Sequence, residues 1–346
     1  MQVFFSEAHR GHDPSEEVEA GQRQPMQECP ARVDQIRRAL LDDGGFAIRA
    51  PVTFDRAAID AVHDPAMVDY LEDAWSAWSA AAGLDTAIPD VFLHPALRDG
   101  MGPAPEPASP LGRLGYWCFE TTTPMVAGTY AAARRAVDCA LTATEAVLGG
   151  EQSVYACCRP PGHHAARAVF GGYCFLNNAA IAAQYARDAG SARVALLDVD
   201  YHHGNGSQQI FYERPDVFYA SLHGDPMRAY PYFAGHADER GAGRGRGANL
   251  NLPLPIGCSD DDFVAALQHA LEAVAQFGAE VLVVSLGLDT WERDPLGDLA
   301  VSIDGFRRCG AAVRAAALPT VVVQEGGYAV AELGANAVAW LHGLDS

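Results

Sequence analysis

The chain has 346 residues, of which 49% are hydrophobic and 20% are charged, a composition typical of a globular protein rather than a disordered one. Lys and Arg number 24 and Asp and Glu number 44, so the formal net charge is −20. That charge argues against nucleic-acid binding, which needs a basic surface. No run approaches the roughly 18 uncharged apolar residues that cross a bilayer, so no membrane partner is expected.

The amino terminus and the cysteines both indicate a cytoplasmic protein. The first seven residues lack the basic segment of a secretory signal. The eight cysteines include no C-x-x-C pair, and most lie among apolar residues, where a free thiol packs as a small hydrophobic group. We therefore expect free thiols in a reducing compartment and no disulfides.

The first half of the chain alternates between predicted helices and polar segments. A short strand is predicted over residues 2–6, and residues 9–30 form a long polar stretch without periodicity. A connection of that length is typical of a functional loop or an interface loop. Apolar spacing predicts helices over 31–41, 65–82 and 124–148, and composition predicts a loop over 83–113.

Beyond residue 150, short apolar runs alternate regularly with helical stretches. Strands are predicted over 153–158, 194–199, 217–222, 281–286 and 320–324, and helices over 177–189, 207–212, 261–277 and 302–316. The run Val-Leu-Val-Val at 281–284 lacks polar alternation, so both faces of that strand are expected to be buried. The pattern predicts one α/β domain over 1–346, an open parallel β-sheet flanked by helices.

Polar residues follow four of the predicted strands. The four segments are 159–164 (R-P-P-G-H-H), 198–206 (D-V-D-Y-H-H-G-N-G), 287–290 (G-L-D-T) and 324–328 (Q-E-G-G-Y). In open parallel sheets the ligand crevice lies beyond the carboxyl ends of the strands. These segments are therefore the candidate functional residues.

Three of these residues have the chemistry of a metal site. Asp200 and His202 are two residues apart, so on extended chain their side chains point the same way. With Asp289 from another strand they offer two carboxylates and one imidazole, leaving a fourth position for water as in catalytic zinc sites. Zinc is the first expectation, although ferrous iron, cobalt and manganese accept such ligands. A lone D-x-D pair could instead cap a turn or a helix.

Two further groups suit hydrolytic chemistry. Beside a metal, His163 and His164 fit general acid–base catalysis because imidazole titrates near neutral pH; away from one they would be an ordinary surface or core pair. Tyr328 follows two glycines and is either a donor to a developing oxyanion or an ordinary half-buried tyrosine. Asn177 and Asn178 are interpreted as helix-start residues without a chemical role.

Together these motifs resemble the histone deacetylase family of the arginase/deacetylase superfamily. The matching segments, in order, are 160–165 (P-P-G-H-H-A), 171–178 (G-G-Y-C-F-L-N-N), 198–206, 221–223 (S-L-H), 289–295 (D-T-W-E-R-D-P) and 325–328 (E-G-G-Y). The C-R-P-P-G-H-H, H-H-G-N-G and S-L-H-G-D-P runs are similar to those of bacterial acetylpolyamine amidohydrolases. The resemblance runs from residue 4 to about residue 337 and implies the arginase/deacetylase fold.

The resemblance also implies an activity, the zinc-dependent removal of acetyl groups from small acetylated amines with release of acetate. It implies one Zn²⁺ per chain on Asp200, His202 and Asp289. The catalytic groups it implies are His163, His164 and Tyr328. It further implies a structural K⁺ held by Asp198, Ser221 and the carbonyl of Leu222, together with Asp200 and His202.

For substrate and assembly, the resemblance places Tyr173 and Tyr230 along a narrow tunnel and Glu17 where an acid meets distal amines. Two other positions that are acidic in the polyamine enzymes hold Leu111 and Thr122 here. This favours short substrates such as acetylputrescine or acetylcadaverine. In the resembling branch the early polar segment helps to form a homodimer, so we expect a dimer whose interface includes part of 9–30.

Three other functions are weighed against this one. A protein acetyl-lysine deacetylase would use the same chemistry, and the early segment would decide whether large substrates reach the site. A non-enzymatic scaffold would lack a ligand or Tyr328, and none of these residues is missing. An arginase-like ureohydrolase with two manganese ions would need further carboxylates and a histidine, and the His163-His164 pair fits it poorly.

Overall fold

A computed structural model describes residues 1–345. Its strands are β1 (Gln2–Phe4), β2 (Glu16–Glu19), β3 (Gln22–Pro25), β4 (Ala47–Arg49), β5 (Ser153–Ala156), β6 (Val194–Asp198), β7 (Val217–Gly224), β8 (Asn249–Leu254), β9 (Val281–Leu286) and β10 (Thr320–Gln324). Its α-helices are α1 (Ala31–Asp43), α2 (Ala57–Asp60), α3 (Pro65–Ala82), α4 (Pro110–Trp117), α5 (Thr129–Leu148), α6 (Asn178–Asp188), α7 (Asn205–Phe211), α8 (Asp260–Phe277), α9 (Ile303–Ala315) and α10 (Leu333–Asp345). Short 3-10 helices cover Glu7–Gly11, Pro95–Arg98 and Gly243–Gly245.

The main sheet in this range has eight strands in the order β4-β1-β5-β10-β9-β6-β7-β8. Each neighbouring pair is parallel. All eight carboxyl ends therefore lie at one edge of the sheet. This is the parallel α/β fold that the sequence predicts, and that prediction is confirmed.

Hydrophobic packing covers both faces of the sheet. Along β9, Val283 packs in one cluster, with residues of α3, α5 and α6, whereas Leu282 and Val284 pack in the other, with residues of α1, α8, α9 and α10. Successive side chains of a strand point to opposite faces, so one apolar run supplies both clusters. This double burial explains why the central strands show no polar alternation.

One helix start bears directly on the site. Asn177 caps α6, because its Oδ1 accepts a hydrogen bond from the Ala180 N–H at 2.9 Å. Its Nδ2 donates to the carbonyl of Ala165 at 3.0 Å. The predicted helix-start residue therefore also holds the chain just after the two histidines.

The early polar segment is more ordered than its sequence indicates. Residues 9–30 are not one loop, because β2 and β3 pair as an antiparallel hairpin within them. The turn is made by Ala20 and Gly21, with φ of 49° and 74°. Two positive φ values suit a tight hairpin, but alanine rarely adopts one, so the usual Asn-Gly or Asp-Gly signal is absent.

Other boundaries also differ from the sequence predictions. The segment 83–113 is not all loop, since it contains the 3-10 helix Pro95–Arg98 and the first residues of α4. The helix predicted over 124–148 begins only at Thr129. The strands β4 and β8 and the helix α10 went unpredicted. A three-residue strand such as β4 is too short to show periodicity.

Two further expectations concern the whole chain. Among residues 1–345, no helix combines the length and the apolar character needed to span a membrane. The eight cysteines are free thiols, and Cys29 is the one that is not fully buried.

Candidate active site

The four polar segments emerge from four adjacent strands. In the sheet, β5, β10, β9 and β6 are consecutive neighbours. Their carboxyl ends are continued by the segments that contain His163, Tyr328, Asp289 and Asp200. Parallel pairing thus brings together residues that are up to 165 positions apart in the chain.

Asp200, His202 and Asp289 form a compact group of possible metal ligands. One ligand atom from each lies within 4.8 Å of the others. The Nδ1 atom of His202 is 3.1 Å from Oδ2 of Asp289 and 3.3 Å from Oδ1 of Asp200. Both carboxylates are fully buried. Two buried carboxylates and an imidazole Nδ1 are a donor set that suits a divalent cation, zinc included.

Two glycines leave room for this group. The Gly326 N–H donates to Oδ2 of Asp200 at 2.8 Å. A Cβ on Gly326 would lie 2.4 Å from Oδ2 of Asp289, and one on Gly287 would lie 2.2 Å from Oδ2 of Asp200. Both distances are closer than van der Waals contact allows. The carboxylates can therefore approach the backbone only because these positions lack side chains.

A second cluster, His163, Cys174 and Glu325, also places one possible ligand atom from each residue within 4.8 Å. Its carboxylate is already engaged, since Glu325 Oε2 accepts the N–H groups of Gly162 at 2.6 Å and His163 at 3.1 Å. Burial raises the pKa of the Cys174 thiol well above its usual value, which disfavours the thiolate that a metal needs. Glu325 thus holds the turn before the histidines, and the first group is the better metal site.

The adjacent histidines have different partners. Nδ1 of His163 is 3.0 Å from Oδ2 of Asp198, whereas Nδ1 of His164 is 2.7 Å from Oδ1 of Asn205. Burial lowers the pKa of His163, but the carboxylates of Asp200 and Asp198 outweigh it and raise that pKa to about 10. Burial, reinforced by the positive charge of His163, holds the pKa of His164 well below its usual value. The pKa values of the two imidazoles are therefore shifted in opposite directions.

His164, His202 and Tyr328 border a cavity of about 470 Å³. The aromatic and histidine side chains that line it are His164, Tyr173, Tyr201, His202, Tyr230, Tyr232 and Tyr328. The ring of Tyr173 lies 5.7 Å from that of Tyr328, and the ring of Tyr230 lies 5.0 Å from that of His164. Tyr173 and Tyr230, the tunnel residues implied by the resemblance, thus lie next to the candidate catalytic residues Tyr328 and His164, respectively.

The residues assigned to a monovalent cation lie deeper. Strand register places Asp198 of β6 opposite Ser221 of β7, and both side chains are fully buried, as is Leu222. Oδ2 of Asp198 also accepts a hydrogen bond from the Tyr219 hydroxyl at 3.2 Å. The Ser221 hydroxyl lies 2.8 Å from Nδ1 of His223.

Glu17 does not lie where the sequence reasoning placed it. Its side chain is fully buried, Oε1 accepts a hydrogen bond from Gln24 at 3.0 Å, and it is not part of the cavity wall. Burial raises the pKa of Glu17 to about 7, which disfavours a charged carboxylate. Glu19, two residues further along the hairpin, lines the cavity instead. The expectation that Glu17 meets a distal amine is corrected accordingly.

Two further acidic residues, Glu106 and Glu120, do not line the cavity and have other partners. Glu106 accepts hydrogen bonds from Arg113 at 2.6 Å and from the Trp117 indole at 2.9 Å. Glu120 accepts one from the Gly172 N–H at 2.9 Å. Apart from histidine, the charged side chains that line the cavity among the described residues are one carboxylate, Glu19, and one guanidinium, Arg228.

A buried charged cluster beneath Tyr328 was missed by the sequence reasoning. Arg32 donates to the carbonyl of Glu325 at 2.7 Å, and its Cζ lies 4.7 Å from the ring centroid of Tyr328. Glu28 pairs with Arg32 at 2.6 Å and with Arg159 at 2.8 Å. Burial raises the pKa of Glu28, but the two guanidiniums outweigh it and lower that pKa to about 2. The available sequence signal was the i, i+4 spacing of Glu28 and Arg32.

Fold and site together define a class of protein, a hydrolytic α/β enzyme with a metal-ligand group at the strand ends. The histone deacetylase domain model matches residues 26–344. The chain belongs to the histone deacetylase family, and it is an enzyme of that family.

Similar proteins include bacterial enzymes along the whole chain. The chain is 44% identical to acetylpolyamine amidohydrolase 1 of Pseudomonas aeruginosa, covering 100% of this chain and 99% of that protein. It is 41% identical to the acetylpolyamine amidohydrolase of Mycoplana ramosa, with 99% of each chain covered. The crystal structure of the Burkholderia pseudomallei acetylpolyamine aminohydrolase superposes with a TM-score of 0.94 at 41% identity, covering 100% of this chain and 99% of that one.

Proposed function

We propose that the protein is a zinc-dependent amidohydrolase that removes acetyl groups from small acetylated amines and releases acetate. The observation that carries the proposal is the convergence of His202, His164 and Tyr328 on one cavity, with Asp200 and Asp289 beside His202. The names of the similar proteins support acetylated polyamines as the substrate class.

The proposed metal ligands are Asp200, His202 and Asp289. Zinc held by them would polarise the substrate carbonyl and lower the pKa of a water toward about 7. With three protein ligands, the site leaves room for substrate and water, as catalytic zinc sites do.

His164 is proposed as the general base and then the general acid. Its low pKa keeps it neutral at pH 7. Its Nδ1–H donates to Oδ1 of Asn205, a tautomer inferred from these partners, so Nε2 remains the acceptor. Nε2 can take a proton from water and then give it to the leaving amine.

His163 and Tyr328 are proposed to stabilise charge. The Asp198 carboxylate, 3.0 Å from Nδ1 of His163, favours the protonated form of that imidazole, whose positive charge would lie beside the reacting atoms. Burial raises the pKa of the Tyr328 phenol well above its usual value, so it stays a hydrogen-bond donor. A phenol aimed at the carbonyl oxygen stabilises the charge that develops as the amide is attacked.

We propose short acetylated diamines, such as acetylputrescine or acetylcadaverine, as the preferred substrates. The aromatic rings of Tyr173 and Tyr230 on the wall suit a slender aliphatic chain. One acid, Glu19, can meet one distal ammonium, whereas a long polyamine would bring further ammonium groups toward Arg228. Each such contact at an exposed mouth contributes up to about 1 kcal/mol.

The test is a comparison of acetate release from five substrates by the zinc-loaded enzyme. Acetylputrescine, acetylcadaverine, acetylspermidine, acetylspermine and an acetyl-lysine peptide are compared by kcat/KM. We expect acetylputrescine or acetylcadaverine to be used at least as well as acetylspermine. Faster turnover of the peptide would favour the protein-deacetylase alternative, and no turnover of any of them would refute the proposal.

The proposal includes a structural K⁺ at the buried cluster of Asp198 and Ser221, with the carbonyl of Leu222. The pairing of Asp198 with Ser221 across the neighbouring strands β6 and β7 supports this K⁺ site. Stability measured in K⁺ and in a bulky organic cation at equal ionic strength tests it. We expect the higher midpoint of unfolding in K⁺.

The proposal also includes a cytoplasmic homodimer. The free thiols support a reducing compartment. The hairpin of β2 and β3 carries the exposed side chains of Glu16 and Arg23, which a second copy could contact. Light scattering at micromolar concentration should give twice the chain mass, and a monomer would contradict this part.

A further inference from the structure

A buried carboxylate outside the metal-ligand group contacts the backbone of Tyr328. Oδ2 of Asp294 accepts two hydrogen bonds, from the Tyr328 N–H at 2.7 Å and from the Ala329 N–H at 2.9 Å. Oδ1 accepts a third, from the Leu296 N–H at 3.0 Å. Only 6% of Asp294 is exposed, so these bonds form largely out of water.

The opposite side of the same turn is held by the metal-ligand residue Asp200 and by Arg32. The Gly326 N–H donates to Oδ2 of Asp200 at 2.8 Å, and Arg32 donates to the Glu325 carbonyl at 2.7 Å. The turn that carries Tyr328 is therefore held at both ends by hydrogen bonds to buried side chains. Asp294 binds the end of the turn that contains the backbone of Tyr328 and Ala329.

Asp294 lies five residues after the metal ligand Asp289, in the same connection after β9. That connection is closed by hydrogen bonds of its own, since the Asp294 N–H donates to the Trp291 carbonyl at 2.9 Å. One short segment thus contains both a metal ligand and the clamp on Tyr328.

We infer that Asp294 is a positioning residue that fixes the Tyr328 phenol relative to the metal group. The inference rests on the role proposed above for Tyr328. A donor to an oxyanion must be held in place before the reaction, because its benefit is lost if it moves during charge development. Three buried hydrogen bonds from backbone N–H groups to one carboxyl group provide that hold.

The test is a double-mutant cycle between Asp294→Asn and Tyr328→Phe. The amide at 294 retains the shape but replaces one acceptor oxygen with a donor that faces an N–H group. We expect Asp294→Asn to lower kcat by about tenfold, with KM within about twofold and zinc content unchanged. In the Tyr328→Phe background the same change should lower kcat by less than about twofold, because the phenol it positions is gone.

The control is Glu292→Gln, which neutralises an exposed carboxylate in the same connection and should leave kcat unchanged. An equal loss in both backgrounds would overturn the inference, because a general structural defect does not depend on the phenol. If Tyr328→Phe alone has no effect, the proposed role of Tyr328 fails and the inference falls with it. Should Asp294→Asn not fold, Asp294→Glu moves both oxygens by one methylene and must give the same non-additive pattern.

Discussion

The floor and the mouth of the cavity are built differently. The floor, defined as the lining residues His164, His202 and Tyr328 with the carboxylates of Asp200 and Asp289 beside His202, follows strands that are buried on both faces, and its carboxylates and imidazoles have hydrogen-bond partners. The mouth, where Glu19, Ala20, Arg228 and Tyr232 line the wall, stands on a hairpin and loops and is largely exposed. Preorganised groups suit the chemical step, whereas exposed ones tolerate changes of substrate. In the proposed function, catalysis belongs to the floor and substrate selection to the mouth.

The largest expected effect comes from removing a floor carboxylate. Asp289→Ala should abolish zinc binding and lower kcat by at least about 10³-fold, because two remaining ligands make a poor zinc site. Zinc per chain and acetate release measure the two losses. Glu292→Gln in the same connection should keep both. Full zinc occupancy in Asp289→Ala would contradict the ligand assignment.

The next effect comes from the phenol on the floor. Tyr328→Phe should keep zinc and the fold but lower kcat by about 10²-fold or more, since only charge stabilisation in the transition state is lost. Steady-state kinetics with acetylputrescine measure it. Tyr185→Phe, which removes a hydroxyl bonded to Glu145 on the outside of α6, is the matched control. Activity within about threefold of wild type would remove Tyr328 from the mechanism.

A third effect concerns the pH dependence of stability, through the buried side chain of His63. His63 bridges two segments, since its Nδ1 is 2.9 Å from the Ala166 carbonyl and its Nε2 accepts the Asn177 N–H at 2.8 Å. Burial lowers the pKa of His63 from 6.5 to about 4, so the unfolded chain binds a proton that the folded chain does not. Stability should therefore be complete above pH 6.5 and fall as the pH drops toward 4.

Urea unfolding at pH 7.5 and pH 5 tests this expectation. The difference in unfolding free energy between the two pH values should be smaller in His63→Gln than in wild type by about 1–2 kcal/mol. The reason is that glutamine does not titrate, so folding of the variant shifts no pKa at position 63. His269→Gln changes an exposed histidine on α8 and should leave the difference as it is. An unchanged difference in His63→Gln would show that this imidazole does not set the acid sensitivity.

The smallest effect belongs to the mouth. Arg228→Gln removes a positive charge from the cavity wall and should raise kcat/KM for acetylspermine by up to about fivefold, because one exposed charge contact is worth at most about 1 kcal/mol. For acetylputrescine the change should be smaller, and Arg38→Gln on the outer surface of α1 should change neither. A decrease in kcat/KM for acetylspermine would instead show that Arg228 favours polyamine substrates.

The sequence predicts the floor better than the mouth. Strand ends in a parallel sheet meet at one edge, so the glycine-flanked segments that contain Asp200, Asp289 and Tyr328 could be brought together from periodicity and topology rules alone. The resemblance to a family added the assignment of roles. Neither route needed the exact position of a side chain.

The mouth depends on contacts that no short pattern encodes. Glu17 and Glu19 are two residues apart on β2, so strand periodicity gives their side chains the same direction, and only the packing of the hairpin decides that Glu17 is buried while Glu19 lines the cavity. The hairpin itself was hidden because Ala20 occupies a turn position that glycine or asparagine usually fills. Asp294 was hidden for a different reason, since its partners are backbone N–H groups that every residue has.

The β2–β3 hairpin can also be considered as a replaceable module. Its ladder is closed within residues 16–25, and it forms a sheet separate from the one that carries the floor. A hydrogen bond from the Met26 N–H to the Ser15 carbonyl at 3.3 Å lies at its base, and one from the Thr121 hydroxyl to the Val18 carbonyl at 2.6 Å attaches it to the rest of the chain. A library that varies these ten residues, with Val18 and the strand register retained, would alter the entrance while leaving the hydrolytic machinery intact. The hairpin is therefore a suitable segment to vary when the substrate preference of this protein is engineered.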